Sequence, residues 1–296
     1  MSDIRQILAL VNDSPRADRV LALAARLARR HGAALSALHA VEPLHSGAFI
    51  SAEAASVAAS WAIETEAQRY AAATARVAAA AAAFGIEIAL HGLRGEPVAD
   101  VLRHAGTADL VVLSQRDPHE ADGAPRHILE RLIVGSGTPL LFVPHADTLP
   151  LQADGAPRCG LRVLVAWSPS RESARALRDA MPLLAGAERV ELIRFAPAGE
   201  ASPEPLDAVA AYLQLHGIGA SRVVRHTPAP SLGERLLAGW TVDVPIAEAL
   251  LSHAADIDAD LLVMGGYGHP RAWELTLGGV TRTILQTMTV PVLMSH

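Results

Sequence analysis

The chain has 296 residues, 51% of them hydrophobic, with a formal net charge of −6 and a pI near 6.1, enough to build two domains with separate cores. The charge is modest and no dense arginine cluster concentrates it, which argues against a nucleic acid or an anionic membrane surface as partner. Every permanently basic side chain is arginine, so P-loop NTPases, protein kinases and Schiff-base enzymes are excluded, since each needs a lysine.

Residues 7–11 form an apolar strand that ends in Asn12-Asp13-Ser14-Pro15, a turn that also caps a helix. In that helix Val20, Leu21, Ala24, Ala25 and Leu27 share one face, Arg16, Arg19, Arg26 and Arg29 the other, and Gly32 ends it. A second strand over 34–41 leads through a loop to an alanine-rich helix over 51–84, closed by Gly85. Its alanine tract, broken by Arg76, is too short to span a membrane. A third strand over 86–90, a helix opened by Gly95-Glu96-Pro97, a fourth strand over 110–113, a helix from Ile128 and a fifth strand over 139–143 complete the alternation. Apolar strands alternating with helices predict an open parallel sheet with helices on both faces.

The start of the chain does not read as a signal peptide, because its apolar run is short and ends in Asn12-Asp13. The single cysteine, Cys159, cannot form an internal disulfide, and a reducing, cytoplasmic location is expected.

Residues 146–160 mix proline, glycine and polar side chains without periodicity and read as a linker between a domain at 1–145 and another at 161–296. The pattern then restarts. Val163-Leu164-Val165 repeats Ile7-Leu8-Ala9, Ala259-Asp260-Leu261 repeats Ala108-Asp109-Leu110, and Thr289-Val290-Pro291-Val292 answers Gly137-Thr138-Pro139-Leu140, which marks a tandem duplication. Strands at 190–195 and 223–224 and a helix at 245–256 follow in the second copy. Residues 228–244, containing GERLLAGWTVD, lengthen one connection and read as a surface insertion, with a short helix or flap as the alternative.

In the second copy the buried strand 261–264 stops at Gly265, and Gly265, Gly268, Gly278 and Gly279 are spaced G-x2-G-x9-G-G. A helical pattern of Val280, Ile284, Leu285 and Met288 begins directly afterwards. Glycines before a helix start let an oxyanion approach the main chain, and the helix N-terminus favours it.

This strand, the glycine spacing and the closing TVPVL strand resemble the C-terminal half of a universal stress protein domain, and the anchors extend the resemblance over both copies. The resemblance implies two tandem open parallel five-stranded sheets and ATP, accompanied by Mg2+, as the ligand of the second copy. It places Ser168, Met264, Gly265, Gly268, His269, Gly278, Gly279, Val280 and Thr281 at that nucleotide, with His269 or Arg271 reaching phosphate oxygens. Two positions depart from the family pattern. Gly279 replaces a hydroxyl residue, for which Thr281 is the candidate substitute, and Ser168, preceded by Trp167, replaces the first strand's aspartate. In the first copy that aspartate is Asn12, and Ser114, Asp117, His127 and Ile128 stand where the glycines and hydroxyl would be, so no nucleotide is expected there. The resemblance also implies that strands 140–143 and 292–294 meet in a pseudo-dimer within the chain, with homodimerisation open.

Asp117, His119, Glu120, Asp122 and His127 include metal-ligand types, but intervening prolines and glycines fix no spacing, and a solvated loop is expected. No G-x-S-x-G elbow is present, and His39 and His91 read as structural. The expected function is a stress-response sensor that binds an adenine nucleotide without ordinary turnover. A nucleotide-free scaffold or chaperone-like module is the alternative. A slow ATP hydrolase comes third, because it needs a carboxylate near Gly265, either Glu274 or a residue brought there by folding.

Overall fold

The computed structural model describes residues 3–40, 52–93, 97–115, 126–145, 158–197, 204–227, 243–266 and 279–296. Among them ten strands alternate with eight helices, and the chain divides into two compact units, Ile4–Leu132 and Ile133–His296. Of the insertion expected at 228–244, residues 228–242 lie outside the described residues, as do the glycine-loop residues 267–278, while 243–244 begin the helix Asp243–Asp256.

The first unit contains β1 (Gln6–Val11), α1 (Arg16–His31), β2 (Ala34–His39), α2 (Ala52–Phe84), β3 (Ile88–Gly92), α3 (Pro97–Ala105) and β4 (Leu110–Ser114). Its strands run parallel in the order β3-β2-β1-β4. Residues 7–11 of β1 are all buried, which is what an unbroken apolar run requires when helices cover both faces. α1 buries Val20, Leu21, Ala24 and Leu27 and ends at Gly32, whose φ of 63° lets its N–H reach the Ala28 carbonyl. α2 is pinned to α1 by Arg76, which pairs with Asp18 at 2.6 Å and donates to the Asp13 carbonyl at 3.1 Å. The last helix of this half, α4 (Arg126–Gly135), buries Ile128, Leu129 and Leu132.

The second unit contains β5 (Leu140–Val143), β6 (Arg162–Ala166), α5 (Arg171–Leu184), β7 (Arg189–Pro197), α6 (Glu204–Leu215), β8 (Ala220–Thr227), α7 (Asp243–Asp256), β9 (Leu261–Gly265), α8 (Gly279–Thr287) and β10 (Val292–Ser295). The strand order is β5-β10-β9-β6-β7-β8. All neighbours are parallel except β5 and β10, which pair antiparallel with Leu293 opposite Leu141. The strands expected to meet, 140–143 and 292–294, are therefore hydrogen-bonded neighbours. α6 has no counterpart in the sequence reading, although Leu206, Val209 and Leu213 recur at helical spacing and all three are buried.

The repeated Ala-Asp anchors prove to be clamps. Asp260 Oδ1 accepts from the backbone N–H groups of Gly160, Leu161 and Arg162 at 2.8, 2.9 and 3.1 Å, while Oδ2 takes Arg158 Nε at 3.3 Å. Its counterpart Asp109 accepts from the N–H groups of Arg5 and Gln6 at 2.8 and 2.9 Å. In each copy the carboxylate before one strand fixes the entry of another. Cys159, expected in a linker, is buried where the chain enters β6.

Candidate functional site

In the second unit α5 carries the chain from β6 to β7 on one side, whereas α7 brings it from β8 back to β9 on the other side of β6. The connections diverge between the carboxyl ends of β6 and β9. Such a topological switch point opens a crevice where α/β sheets take their ligands.

Ser168 is exposed just beyond β6, and its neighbours define what its hydroxyl can do. Its O–H donates to Ser170 Oγ at 3.2 Å, and Ser173 Oγ lies 2.9 Å away. Since the Ser168 proton is committed, Ser173 is the donor in that second contact. Ser168 keeps one lone pair and can accept from a ribose hydroxyl or a base amine, but it has nothing left to donate. Ser170 also caps α5, accepting from Ser173 N at 3.2 Å. Ser170→Ala is expected to cost about 1 kcal/mol in chemical denaturation. Trp167 is half-buried and continues the β6–β7 ladder, donating its N–H to the Ile193 carbonyl at 2.8 Å.

On the facing strand, Met264 is buried and Gly265 ends β9. Gly265 has an ordinary φ, so conformation does not require glycine. Space does: a Cβ there would come within 2.7 Å of the Glu172 carbonyl carbon and the Ser173 nitrogen. The residue expected to admit an oxyanion therefore first admits the start of α5. This contact also brings the Glu172 side chain to the turn, 12% exposed and paired with Arg171 at 3.2 Å. Sequence reasoning asked for a carboxylate near Gly265 and looked to Glu274, which lies outside the described residues; folding supplies Glu172.

Ser295, in register with Gly265 on β10, is buried with its Oγ unpartnered among the described residues. Gly266 donates to the Ser295 carbonyl at 2.8 Å, and its own carbonyl accepts from His296 Nδ1 at 3.1 Å. Gly279 and Val280 begin α8 and are half-buried, whereas Thr281 is only 4% exposed. Gly268, His269, Arg271 and Gly278 lie outside the described residues.

At the corresponding switch point of the first unit, between β1 and β4, a pocket of about 30 Å³ is lined by Val11, Asn12, Arg16, Ser114 and Gln115. Asn12 Oδ1 is occupied by the N–H and O–H of Ser14 at 3.2 and 2.9 Å, and Ser114 Oγ donates to the Gln115 carbonyl at 3.0 Å. Ile128, at the place of the hydroxyl, is core. Asp117, His119, Glu120 and Asp122 and the side chain of His127 lie outside the described residues. Among the described residues no cluster of three His, Cys, Asp or Glu side chains could hold a metal, and no helix is long and apolar enough to cross a membrane. His39, read as structural, packs edge-on against Tyr70 at 5.6 Å, and its Nε2 is buried without a partner among the described residues. Burial lowers its pKa, with Asp13 and Glu66 pulling the other way.

No curated relative matches the sequence. Among solved structures, a universal stress protein from Archaeoglobus fulgidus superposes with a TM-score of 0.65 at 16% identity, covering 98% of this chain and 97% of that one. A provisionally assigned universal stress protein from Pseudomonas aeruginosa gives 0.57 at 14% identity, covering 99% and 93%. At these identities the likeness shows the fold. The sequence profile of the universal stress protein family matches residues 3–138 and again 161–296. With most of the chain covered by these two successive matches, the protein belongs to the universal stress protein family and carries that family's domain in tandem.

Proposed function

We propose that the second unit binds an adenine nucleotide at the carboxyl ends of β6 and β9, and that the chain works as a nucleotide-responsive regulator rather than a catalyst. The observation that carries this reading is the topological switch point between β6 and β9, where exposed Ser168 keeps an unspent acceptor. Base or ribose would meet Ser168. The phosphates would meet Gly268, His269, Gly278, Gly279 and Val280, at the start of α8, where main-chain N–H groups favour an anion. The nucleotide would be ATP accompanied by Mg2+.

A nucleotide-free scaffold is the second reading, and one observation favours it. Thr281, the candidate substitute for the hydroxyl lost at Gly279, is buried. Thermal-shift titration with ATP and Mg2+ separates the two. A ligand that binds only the folded state stabilises it by about 2.7 kcal/mol at a hundredfold excess over Kd. A saturable rise in Tm that Gly279→Asp abolishes supports the nucleotide reading, whereas no rise at millimolar ATP favours the scaffold. Phosphate release that stops on Glu172→Gln would instead turn the reading toward slow hydrolysis.

A further inference from the structure

A second group of polar side chains lies beneath α7, away from the crevice. Glu191 on β7 is 3% exposed and in register with Ser221 on β8. Its Oε2 accepts from Arg189 at 2.8 Å and Ser221 Oγ at 3.1 Å, while its Oε1 lies 2.5 Å from His253 Nε2 on α7. The other imidazole nitrogen, Nδ1, lies 3.1 Å from a guanidinium nitrogen of Arg225.

The arginine decides the tautomer. A guanidinium can only donate, so Nδ1 must offer its lone pair and the ring proton must be on Nε2, donated to Glu191. Both ring nitrogens are thereby committed while the imidazole is neutral. Burial pushes the Glu191 carboxyl up, but the bonds from His253, Arg189 and Ser221 outweigh it and hold the group below its ordinary value. Glu191 is therefore an anion throughout the range in which a histidine titrates.

A proton arriving at His253 can enter only at Nδ1, the position Arg225 occupies. Once it arrives, two donors of like charge face each other across a hydrogen-bond distance, and one must leave. The ring is held from its far side by Glu191 and is itself buried, whereas Arg225 is exposed on edge strand β8. Arg225 is the partner free to move.

We propose that His253 is a proton-operated catch: protonation of Nδ1 releases the Arg225 side chain, and with it edge strand β8, from the imidazole on α7, while Glu191 keeps its hold on the ring. Among the described side chains, the other charged or titratable groups on these elements are Glu248 and Asp256 on α7, Arg189 and Arg194 on β7, Arg222 and His226 on β8, and Arg282 on α8. α7 runs directly into β9 and packs against α8. The catch is thus attached to both elements that frame the candidate nucleotide crevice, yet its operation requires no nucleotide.

Imidazole 15N NMR of the full chain tests it. The sequence has 13 histidines, so His253 is assigned through the His253→Gln variant. At alkaline pH its ring should be the Nε2–H tautomer. Arg225→Met, which alters only an exposed side chain, should raise the midpoint of His253 protonation by about one pH unit, a tenfold gain in proton affinity. Glu191→Gln, if it folds, should move the midpoint the other way. A neutral Nδ1–H ring, or a midpoint unmoved by Arg225→Met, would show the cluster to be a static brace and overturn the proposal.

Discussion

Replacing Gly265 by alanine should destabilise the chain by about 3 kcal/mol, the upper part of the range for overpacked sites. The added carbon would lie within 2.7 Å of main-chain atoms of Glu172 and Ser173, and 2.8 Å from Glu172 Cβ. No rotamer change relieves a collision with a helix backbone, so either α5 retreats from β9 or β9 gives up register with β10. Gly266 supplies the internal control. Its added carbon would meet the Ile133 Cγ2 methyl at 3.1 Å, a side-chain contact that a shift of a few tenths of an ångström relieves, and the cost should be about 1–2 kcal/mol. At about 2–4 °C per kcal/mol for units of this size, thermal melts distinguish the two variants. Equal losses for both would show that α5 does not press on the turn. It follows that lost nucleotide binding in a Gly265 variant reports on packing, whereas Gly279→Asp at the start of α8 probes the ligand.

Removal of the Asp260 carboxylate should be at least as costly. Its side chain is fully buried, three backbone N–H groups converge on one oxygen, and Arg158 is paired with the other. Asp260→Ala leaves those donors without an acceptor and takes from the Arg158 guanidinium one of its two carboxylate partners, Asp258 remaining at 3.0 Å, a loss of about 3–5 kcal/mol. The equivalent Asp109→Ala should cost about 1–2 kcal/mol, because water can replace the acceptor at the two exposed N–H groups it serves. Urea denaturation of the two variants checks the order. A larger loss at Asp109 than at Asp260 would refute this ranking of the clamps.

The tandem fold was legible because strands covered on both faces are written as unbroken apolar runs, and because Ala108-Asp109 and Ala259-Asp260 recur in step with them. What those aspartates do was not legible: Asp260 acts on Gly160, 100 positions away, and only the adjacency of β6 and β9 brings them together. Gly265 was singled out for the approach of an oxyanion, whereas the packing that excludes a side chain there comes from residues 172–173, which no local pattern links to it. Glu172 and Ser295 carry no local motif, and only their places at strand and helix ends bring them to the turn. α6 did leave a signal in Leu206, Val209 and Leu213. The Glu191–His253 pair, 62 positions apart, left none, because nothing in a helix-face histidine announces the carboxylate beneath it.

Isothermal titration of the whole chain with ATP and Mg2+ tests the central claim most directly, because it counts sites. Binding at one site per chain, lost in Gly279→Asp and kept in a Ser114→Asp variant of the first copy, is the predicted result. Heat that survives Gly279→Asp, a second site lost with Ser114→Asp, or no heat at millimolar nucleotide would contradict it.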